Sequence, residues 1–250
     1  MKHIYIGDEG KGFPLILIHG FLGSSKMWEP QINFFKNHFR VITPDLPGFG
    51  KSSKAKLHNS IESISNFLSD CLDKKKINKF HLLGHSMGGM IVQEMAKRYG
   101  NKISKLVCYS TGPRGEMPGR FESVDQSREN LKKKGLEIMA RNITKTWFVE
   151  EDNAKYFNIC IQAGIQASKE AVDSSLVAFK NWNGVDTLKN IKNETLIIWG
   201  DKDKSYNFEQ IQTLEKNIEN SKLIIFKNCA HNVHLEQPDQ FNKIIKDFLL

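Results

Sequence analysis

The residues with the clearest chemical meaning form the run Gly84-His85-Ser86-Met87-Gly88-Gly89. This run follows an apolar segment of strand length and precedes an amphipathic segment, which is the context of a nucleophile elbow. Glycines two residues before and two residues after the serine remove side chains that would collide in so sharp a turn. The pattern predicts an exposed, nucleophilic hydroxyl at Ser86, a strained backbone, and a helix N-terminus that favours developing negative charge.

A nucleophilic serine needs a general base, and the base needs an acid that orients it. Where the serine lies on such a strand-to-helix turn, the acid and then the histidine follow it along the chain. Of the eight histidines, only His231 and His234 follow Ser86. Both lie after the last predicted strand, so the order of residues leaves both as candidates for the base.

The elements that must position these residues alternate in type along the chain. Six apolar runs have strand length and are bounded by turn residues: 15–18, 41–43, 80–83, 103–109, 195–199 and 222–226. Amphipathic segments with helical spacing, such as 60–74 and 87–99, separate them. Apolar strands that alternate with helices predict an α/β fold, with a mostly parallel central sheet covered by helices on both faces.

The alternation stops over residues 113–186, where the patterns are helical only. Val172, Leu176 and Phe179, for example, recur at helical spacing. An insertion of this length between two strands favours a helical cap over one end of the sheet, although a run of sheet-packing helices is the alternative. The predicted organisation is a core of residues 1–112 and 187–250 with a cap of residues 113–186.

The joint pattern resembles the α/β-hydrolase family. The matching stretches, in the family's order along the chain, are His19-Gly20-Phe21-Leu22-Gly23, residues 44–50 (PDLPGFG), the elbow, Gly200-Asp201-Lys202-Asp203 and residues 230–238 (AHNVHLEQP). Together these stretches span the whole chain except the predicted cap of residues 113–186. The resemblance implies a hydrolase with a Ser-His-Asp triad and no cofactor.

The resemblance also implies which residues complete the triad. The family's acid is the second acidic position of the Gly-x-x-Asp motif, here Asp203, whereas Asp201 shapes the turn. Glu116 is a further candidate for the acid, because some relatives place it after the preceding core strand. His231 occupies the family's catalytic position, and His234 falls in the variable stretch and is expected to pack beside the site.

Two backbone N–H groups are implied as the oxyanion hole, those of Phe21 and Met87. Within the predicted cap, Trp147, Phe148 and Trp182 are candidates to line a substrate pocket, and burial of the cap against the sheet explains them equally well.

The expected function is that of a carboxylesterase acting on small to medium esters with an apolar acyl group. The same family contains carbon–carbon bond hydrolases, enol-lactonases and cofactor-free haloperoxidases, and some members keep the triad but act as ligand receptors. The stretch Gly23-Ser24-Ser25, in place of the Gly-Pro-Gly common in the carbon–carbon hydrolases, argues mildly against that activity. Fold identity alone does not select among the alternatives.

The composition of the chain argues against several classes of function and location. The 250 residues carry a formal charge of +8, but the basic residues are scattered and do not interleave with aromatic residues, so nucleic-acid binding is not expected. No apolar run reaches the length of a membrane span, and residues 1–5 lack the apolar core of a signal peptide. Four widely spaced cysteines without a CxxC motif favour a reducing compartment. We therefore expect a cytoplasmic protein whose partner is a small-molecule ester; the sequence leaves the oligomeric state open.

Two further motifs carry no function in this interpretation. The run Gly48-Phe49-Gly50-Lys51-Ser52 resembles the end of a phosphate-binding loop, but Asp45 stands where that motif needs glycine. His231 and His234 lack the additional ligands of a zinc site, so no metal is expected.

Overall fold

The computed structural model describes residues 4–250, so residues 1–3, which belong to the stretch examined for a signal peptide, lie outside the described residues. Within the described chain, seven strands form one sheet: Ile6–Glu9 (β1), Pro14–Ile18 (β2), Arg40–Pro44 (β3), Phe80–His85 (β4), Ile103–Tyr109 (β5), Glu194–Gly200 (β6) and Ser221–Phe226 (β7). Their spatial order is β1-β3-β2-β4-β5-β6-β7. Every neighbouring pair is parallel except β1 with β3. The predicted mostly parallel sheet is confirmed.

The edge strand β1 was not predicted from the sequence. This strand has four residues at the sheet edge, its last two residues are exposed, and it contains Gly7. A short, half-exposed edge strand has neither the apolar run nor the alternation that identifies strands in a sequence. Its pairing with β3, which places Ile6 opposite Pro44, supplies the information that the sequence pattern lacks.

Both faces of the sheet are covered, as predicted. Ile16 and Ile18 of β2 belong to one apolar cluster, whereas Leu15 and Leu17 belong to a second. The helices that pack on the first face are Ile61–Lys74 (α2), Met87–Tyr99 (α3) and Phe208–Asn217 (α7). The second face is covered by Glu29–Phe35 (α1) and Pro238–Leu249 (α9). A four-residue helix, Val233–Glu236 (α8), precedes α9.

Local capping explains where α2 begins. The Ser60 hydroxyl accepts a hydrogen bond from the Ser63 N–H at 3.1 Å, and the Ser63 hydroxyl accepts one from the Ser60 N–H at 3.2 Å. This reciprocal capping box satisfies two N–H groups that the helix leaves free. The observed helix therefore starts immediately after the first residue of the predicted segment 60–74. None of the helices in the described chain is long and apolar enough to cross a membrane.

The segment between β5 and β6 contains three helices, Val124–Lys145 (α4), Phe157–Ile165 (α5) and Lys169–Lys180 (α6). Gly135, at φ 79°, breaks α4 into two parts. The entry and exit of the segment lie side by side, because the Gly115 N–H donates to the Trp182 carbonyl at 2.9 Å and the Gly184 N–H donates to the Pro113 carbonyl at 2.8 Å. The insert thus leaves the sheet and returns to it through one narrow neck.

Candidate active site

Ser86 lies between the last residue of β4 and the first residue of α3, with φ 56° and ψ −118°. A side-chain-bearing residue with positive φ is strained and is held there only by its surroundings. A Cβ on Gly84 would lie 2.3 Å from the Gly88 carbonyl oxygen, and a Cβ on Gly88 would lie 2.4 Å from the Ile18 carbonyl oxygen. The turn therefore needs glycine at both positions for close backbone contact.

The neighbouring strand holds Ser86 in place. The Ser86 N–H donates to the Tyr109 carbonyl at 2.9 Å, and the Thr111 hydroxyl donates to the Ser86 carbonyl at 2.8 Å. Both partners come from β5 or the loop that follows it. These bonds satisfy the backbone groups of Ser86 and leave its hydroxyl for other contacts.

The loop after β6 brings Asp203 to His231. Nδ1 of His231 lies 2.9 Å from Oδ2 of Asp203, and the side chains are 2% and 0% exposed. The other carboxylate oxygen of Asp203 accepts from the N–H groups of Ser205 at 2.7 Å and Tyr206 at 3.3 Å. A carboxylate fixed in this way orients the imidazole and leaves Nε2 as the free ring nitrogen.

The other two acidic candidates do not contact His231. Asp201 accepts a hydrogen bond from the Asn228 N–H at 2.8 Å, which ties the β6 loop to the β7 loop. Glu116 is exposed. The structure thus brings together Asp203 and His231, the pair that the family resemblance implies.

The carbonyl group of His231 is held by two side chains that the sequence analysis did not identify. Nε2 of His85 lies 3.2 Å from this carbonyl oxygen, and the Tyr109 hydroxyl donates to it at 3.0 Å. Because a carbonyl only accepts, His85 carries its proton on Nε2. Burial lowers the pKa of His85 well below its ordinary value, and the nearby His231 lowers it further. A neutral His85 and Tyr109 therefore fix the backbone that presents His231.

His234 lies in the layer beneath His231 and is fully buried. Its Nδ1 is 2.9 Å from the Tyr109 hydroxyl, and its ring centroid is 4.6 Å from that of Trp28. Burial lowers the pKa of His234 to about 3. His234 therefore packs behind the site as a neutral residue and does not line the cavity that contains Ser86.

His19 joins the loop after β2 to the loop after β3. The Leu46 N–H donates to His19 Nε2 at 2.9 Å, which leaves Nδ1 to donate to the Gly20 carbonyl at 2.8 Å. Burial lowers the pKa of His19 and so favours this neutral form. A Cβ on Gly20 would lie 2.8 Å from the Ser86 Cβ, so the loop approaches the elbow as closely as its backbone allows.

Ser86 and His231 line one cavity of about 30 Å³. Phe21 and Met87, whose N–H groups are the expected oxyanion donors, line it as well. Met87 is the first residue of α3, where N–H groups lack an intrahelical acceptor. No hydrogen bond joins Ser86 to His231 in the described chain. Such catalytic bonds commonly form or tighten only when substrate binds.

Tyr206 is a cavity residue that the sequence analysis missed. Its ring stacks on the His231 imidazole, with centroids 5.9 Å apart and planes inclined by 16°. Burial raises the pKa of the Tyr206 phenol. Tyr206 and Ser86 line the same cavity, so the phenol lies beside the reacting groups. The only sequence signal was its position three residues after Asp203.

The insert supplies much of the remaining cavity wall. The lining residues from this segment are Met117, Arg120, Phe121, Ile143, Trp147 and Phe179. Trp147 was a predicted pocket residue, and its ring lies 6.1 Å from that of His231.

The structure places Phe148 and Trp182, the other two pocket candidates, outside this cavity. Trp182 is buried at the neck, where its Nε1–H donates to Glu94 of α3 at 3.0 Å. Phe148 is also buried, and it lines a separate surface cavity next to Glu236. Adjacent residues such as Trp147 and Phe148 point in different directions, so the composition of the segment alone did not separate them. Among residues 4–250, no group of three or more His, Cys, Asp and Glu side chains is arranged to hold a metal ion.

Comparisons with known proteins identify the family and the fold. A family model for the alpha/beta hydrolase fold matches residues 14–238. The chain is 27% identical to a pimeloyl-[acyl-carrier protein] methyl ester esterase of Legionella pneumophila, over 99% of each chain. It is 26% identical to a 2-hydroxy-6-oxo-6-phenylhexa-2,4-dienoate hydrolase of Burkholderia cepacia, with 98% of this chain and 91% of the relative covered. A crystal structure of an enol-lactonase from Burkholderia xenovorans superposes with a TM-score of 0.90 at 23% identity, covering 98% of this chain and 96% of the other.

Proposed function

Because the chain belongs to the alpha/beta hydrolase family, we propose that this hydrolase is a serine carboxylesterase that forms an acyl-enzyme at Ser86. The observation that carries the proposal is the hydrogen bond of 2.9 Å between His231 and Asp203 on the wall of the cavity that Ser86 lines. This arrangement supplies a nucleophile, a base and the acid that orients the base, which is what acyl transfer needs.

In the proposed reaction, the Ser86 hydroxyl attacks the ester carbonyl carbon while Nε2 of His231 takes its proton. Asp203 holds the imidazole in the required tautomer and stabilises the imidazolium that forms. The N–H groups of Phe21 and Met87 stabilise the tetrahedral oxyanion, each worth about 3 kcal/mol in the transition state. His231 then protonates the leaving alkoxide, and water releases the acid from Ser86 by the same steps.

The dimensions of the cavity support a small substrate. Its volume of about 30 Å³ lies well below the range for pockets of drug-sized ligands, which favours a small substrate. Its walls are rich in apolar side chains, among them Phe21, Ile143 and Phe179. We propose that the substrate is a small to medium ester with a mainly apolar acyl chain, and that residues 113–186 act as a cap that shapes this pocket. The methyl ester named for the Legionella relative supports ester cleavage.

The nucleophile is tested with p-nitrophenyl acetate and butyrate and with a fluorophosphonate label. Wild-type protein should hydrolyse the esters and take up one label, on Ser86. Ser86→Ala should lose activity by about 10⁴-fold or more. Ser104→Ala, at the far end of β5, is the matched control and should retain activity. Labelling of another serine would overturn the site assignment. Inactivity of wild type across a broad ester panel would favour a ligand receptor.

The base is tested by replacing each of the two neighbouring histidines. His231→Gln should reduce kcat by a factor of about 10⁴ with p-nitrophenyl butyrate. His234→Gln should retain most of the activity while lowering stability, because it replaces a buried packing residue. The reverse outcome would make His234 the base.

Carbon–carbon bond hydrolysis is the second candidate, because the relative from Burkholderia cepacia is named for that activity. It uses a vinylogous diketone in place of an ester. The discriminating measurement is kcat/KM for such a diketone against that for p-nitrophenyl butyrate. A higher value for the diketone would replace the carboxylesterase proposal.

A further inference from the structure

Arg120 differs in character from every other side chain that lines the catalytic cavity. The remaining lining residues are aromatic or aliphatic, are methionines, or carry a hydroxyl or imidazole group: Phe21, Ser86, Met87, Met117, Phe121, Ile143, Trp147, Phe179, Ser205, Tyr206 and His231. Among residues 4–250, no aspartate or glutamate lines this wall. A permanent positive charge thus faces a small cavity that contains no opposing carboxylate.

The protein itself satisfies only part of the guanidinium group. Nη1 of Arg120 donates to the Glu122 carbonyl at 2.6 Å and to the Ser127 hydroxyl at 3.0 Å, both neutral acceptors. In the described chain, Nε and Nη2 of Arg120 make no hydrogen bond, and no carboxylate lies within 4 Å of the guanidinium. An arginine with open donors suits bidentate recognition of a carboxylate, for which its planar fork is shaped.

The nearest acidic side chain is held by other partners. The Glu122 carboxylate accepts hydrogen bonds from the Ser127 hydroxyl and from the Asn130 amide, the latter at 2.8 Å. These contacts occupy both of its oxygens, so Glu122 compensates the Arg120 charge only at a distance. Desolvation lowers the pKa of Arg120, yet an arginine stays protonated in a protein. Arg120 is half-buried, and its unpaired Nε and Nη2 donors remain accessible, so a carboxylate of a bound ligand can reach them.

Arg120 is also close to the reacting groups. Arg120, Tyr206 and Ser86 line the same cavity, and the Tyr206 ring stacks on the imidazole of His231. The Phe121 ring lies 4.3 Å from the Arg120 guanidinium carbon and covers one side of it. An anion on Arg120 would therefore belong to the same small molecule whose carbonyl reaches Ser86.

We propose that Arg120 binds a carboxylate of the substrate, so that the natural substrate is a hemiester of a short dicarboxylic acid or a lactone that bears a free carboxylate. This inference rests on the proposed esterase function and narrows its substrate class. Hydrolysis breaks the bond between the acyl carbon and the alkoxide oxygen, consumes one water, and releases an alcohol and a dicarboxylate from a hemiester. The free carboxylate is unchanged throughout and serves only to position the acyl chain.

The decisive experiment compares two esters that differ only in charge. Mono-p-nitrophenyl glutarate carries the carboxylate, and its terminal carboxamide analogue has nearly the same shape without the charge. Wild-type kcat/KM should be about tenfold to 100-fold higher for the glutarate ester, mainly through a lower KM, as expected for a hydrogen bond between charged groups. In Arg120→Met this ratio should fall to near one, and Arg120→Lys should retain part of it. Arg141→Met, which removes an exposed charge outside the cavity, should keep the wild-type ratio.

A binding measurement separates this inference from the esterase proposal. Succinate, glutarate and adipate are titrated calorimetrically into Ser86→Ala and into Ser86→Ala combined with Arg120→Met. At least one dicarboxylate should bind the first protein, and the second should bind it at least tenfold more weakly. Equal turnover of the two esters by wild type, or dicarboxylate affinity independent of Arg120, would overturn the carboxylate inference alone. If no ester is hydrolysed and Ser86 is not labelled, the esterase proposal fails, and dicarboxylate binding still decides the role of Arg120.

Discussion

The elbow around Ser86 and the insert of residues 113–186 contribute to the same cavity by different physical means. In the elbow, a Cβ on Gly84, Gly88 or Gly89 would lie within 2.4 Å of a neighbouring atom. In the insert, a Cβ on Gly119 or Gly135 would meet nothing within 4 Å. Close backbone contacts therefore determine the shape of the elbow. Away from its neck, the insert contributes to the cavity mainly through its side chains.

The two regions therefore have different roles: the elbow positions the catalytic nucleophile, and the insert selects the substrate. A nucleophile must be placed within tenths of an ångström, and a backbone packed without free space provides that precision. Substrate selection tolerates more variation in atomic position, because it depends on the size of the cavity and on the charge of the side chains that line it. The side chains of the insert, such as Arg120, Ile143 and Phe179, supply both properties. We expect substitutions in the first region to abolish turnover and those in the second to change which substrate is turned over.

The strongest test of this separation is the acid of the triad. Asp203→Asn should lower kcat by about 10⁴-fold, because an amide no longer selects the imidazole tautomer that accepts the Ser86 proton. Asp201→Asn should lower kcat much less, since Asp201 bonds to the Asn228 N–H and does not contact His231. Steady-state kinetics with p-nitrophenyl butyrate gives both values. Equal losses would mean that loop structure, and not the Asp203–His231 bond, limits turnover.

Because the elbow depends on close backbone contact, we expect Gly88→Ala to be damaging although alanine favours helices. Its methyl group would lie 2.4 Å from the Ile18 carbonyl oxygen, which outweighs the gain of about 1 kcal/mol in helix propensity. We expect a loss of about 3 kcal/mol in the free energy of unfolding, together with reduced turnover. The control is Gly100→Ala, whose Cβ would meet only the Asn193 side-chain oxygen, at 3.1 Å. Urea denaturation measures both, and a stable, active Gly88→Ala protein would contradict the argument.

The role of the insert in selecting the acyl chain of the substrate is tested at Phe179. Its ring packs edge-on against Phe21, with centroids 5.5 Å apart, and both residues line the cavity. Phe179→Leu should enlarge the acyl pocket and change the ratio of kcat/KM for butyrate over octanoate esters by about tenfold in favour of octanoate. Phe208→Leu, an exposed residue on α7, should leave this ratio unaltered. A fall in kcat for both esters without a change in their ratio would place Phe179 among the residues that support the chemistry.

The smallest effect concerns the buried histidines behind the elbow. Burial lowers the pKa of His234 to about 3, from an ordinary value of 6.5. As the pH falls below 6.5, the unfolded chain takes up this proton and the folded chain does not, so stability decreases in the window from pH 6.5 to about 3. The free energy of unfolding should be about 1 kcal/mol lower at pH 5.5 than at pH 7.5 from this group alone. Stability in urea should depend less on pH in His234→Gln than in the exposed control His38→Gln. Identical pH profiles would exclude this role for His234.

Much of the core could be predicted because local patterns report on local geometry. The six apolar runs are strands of the sheet, and the glycine spacing around Ser86 matches a turn that only glycine permits. The edge strand β1 could not be predicted, because its pairing with β3, and not its own composition, makes it a strand. Phe148 and Trp182 could not be assigned, because a helical insert buries aromatic residues in several places and only its packing shows which of them reaches the cavity.

The sequence by itself determined the elbow around Ser86 and the alternation that builds a parallel sheet, and its resemblance to the α/β-hydrolase family implied Asp203 and His231 as the partners of Ser86. Steric limits on the backbone and the periodicity of burial are local properties, and they can be read along the chain. Only the tertiary structure decided that His85 and Tyr109 hold the His231 carbonyl, that Tyr206 stacks on its ring, and that Arg120 faces the cavity. These contacts join residues from separate strands and loops, and the sheet order and the path of the insert bring them together.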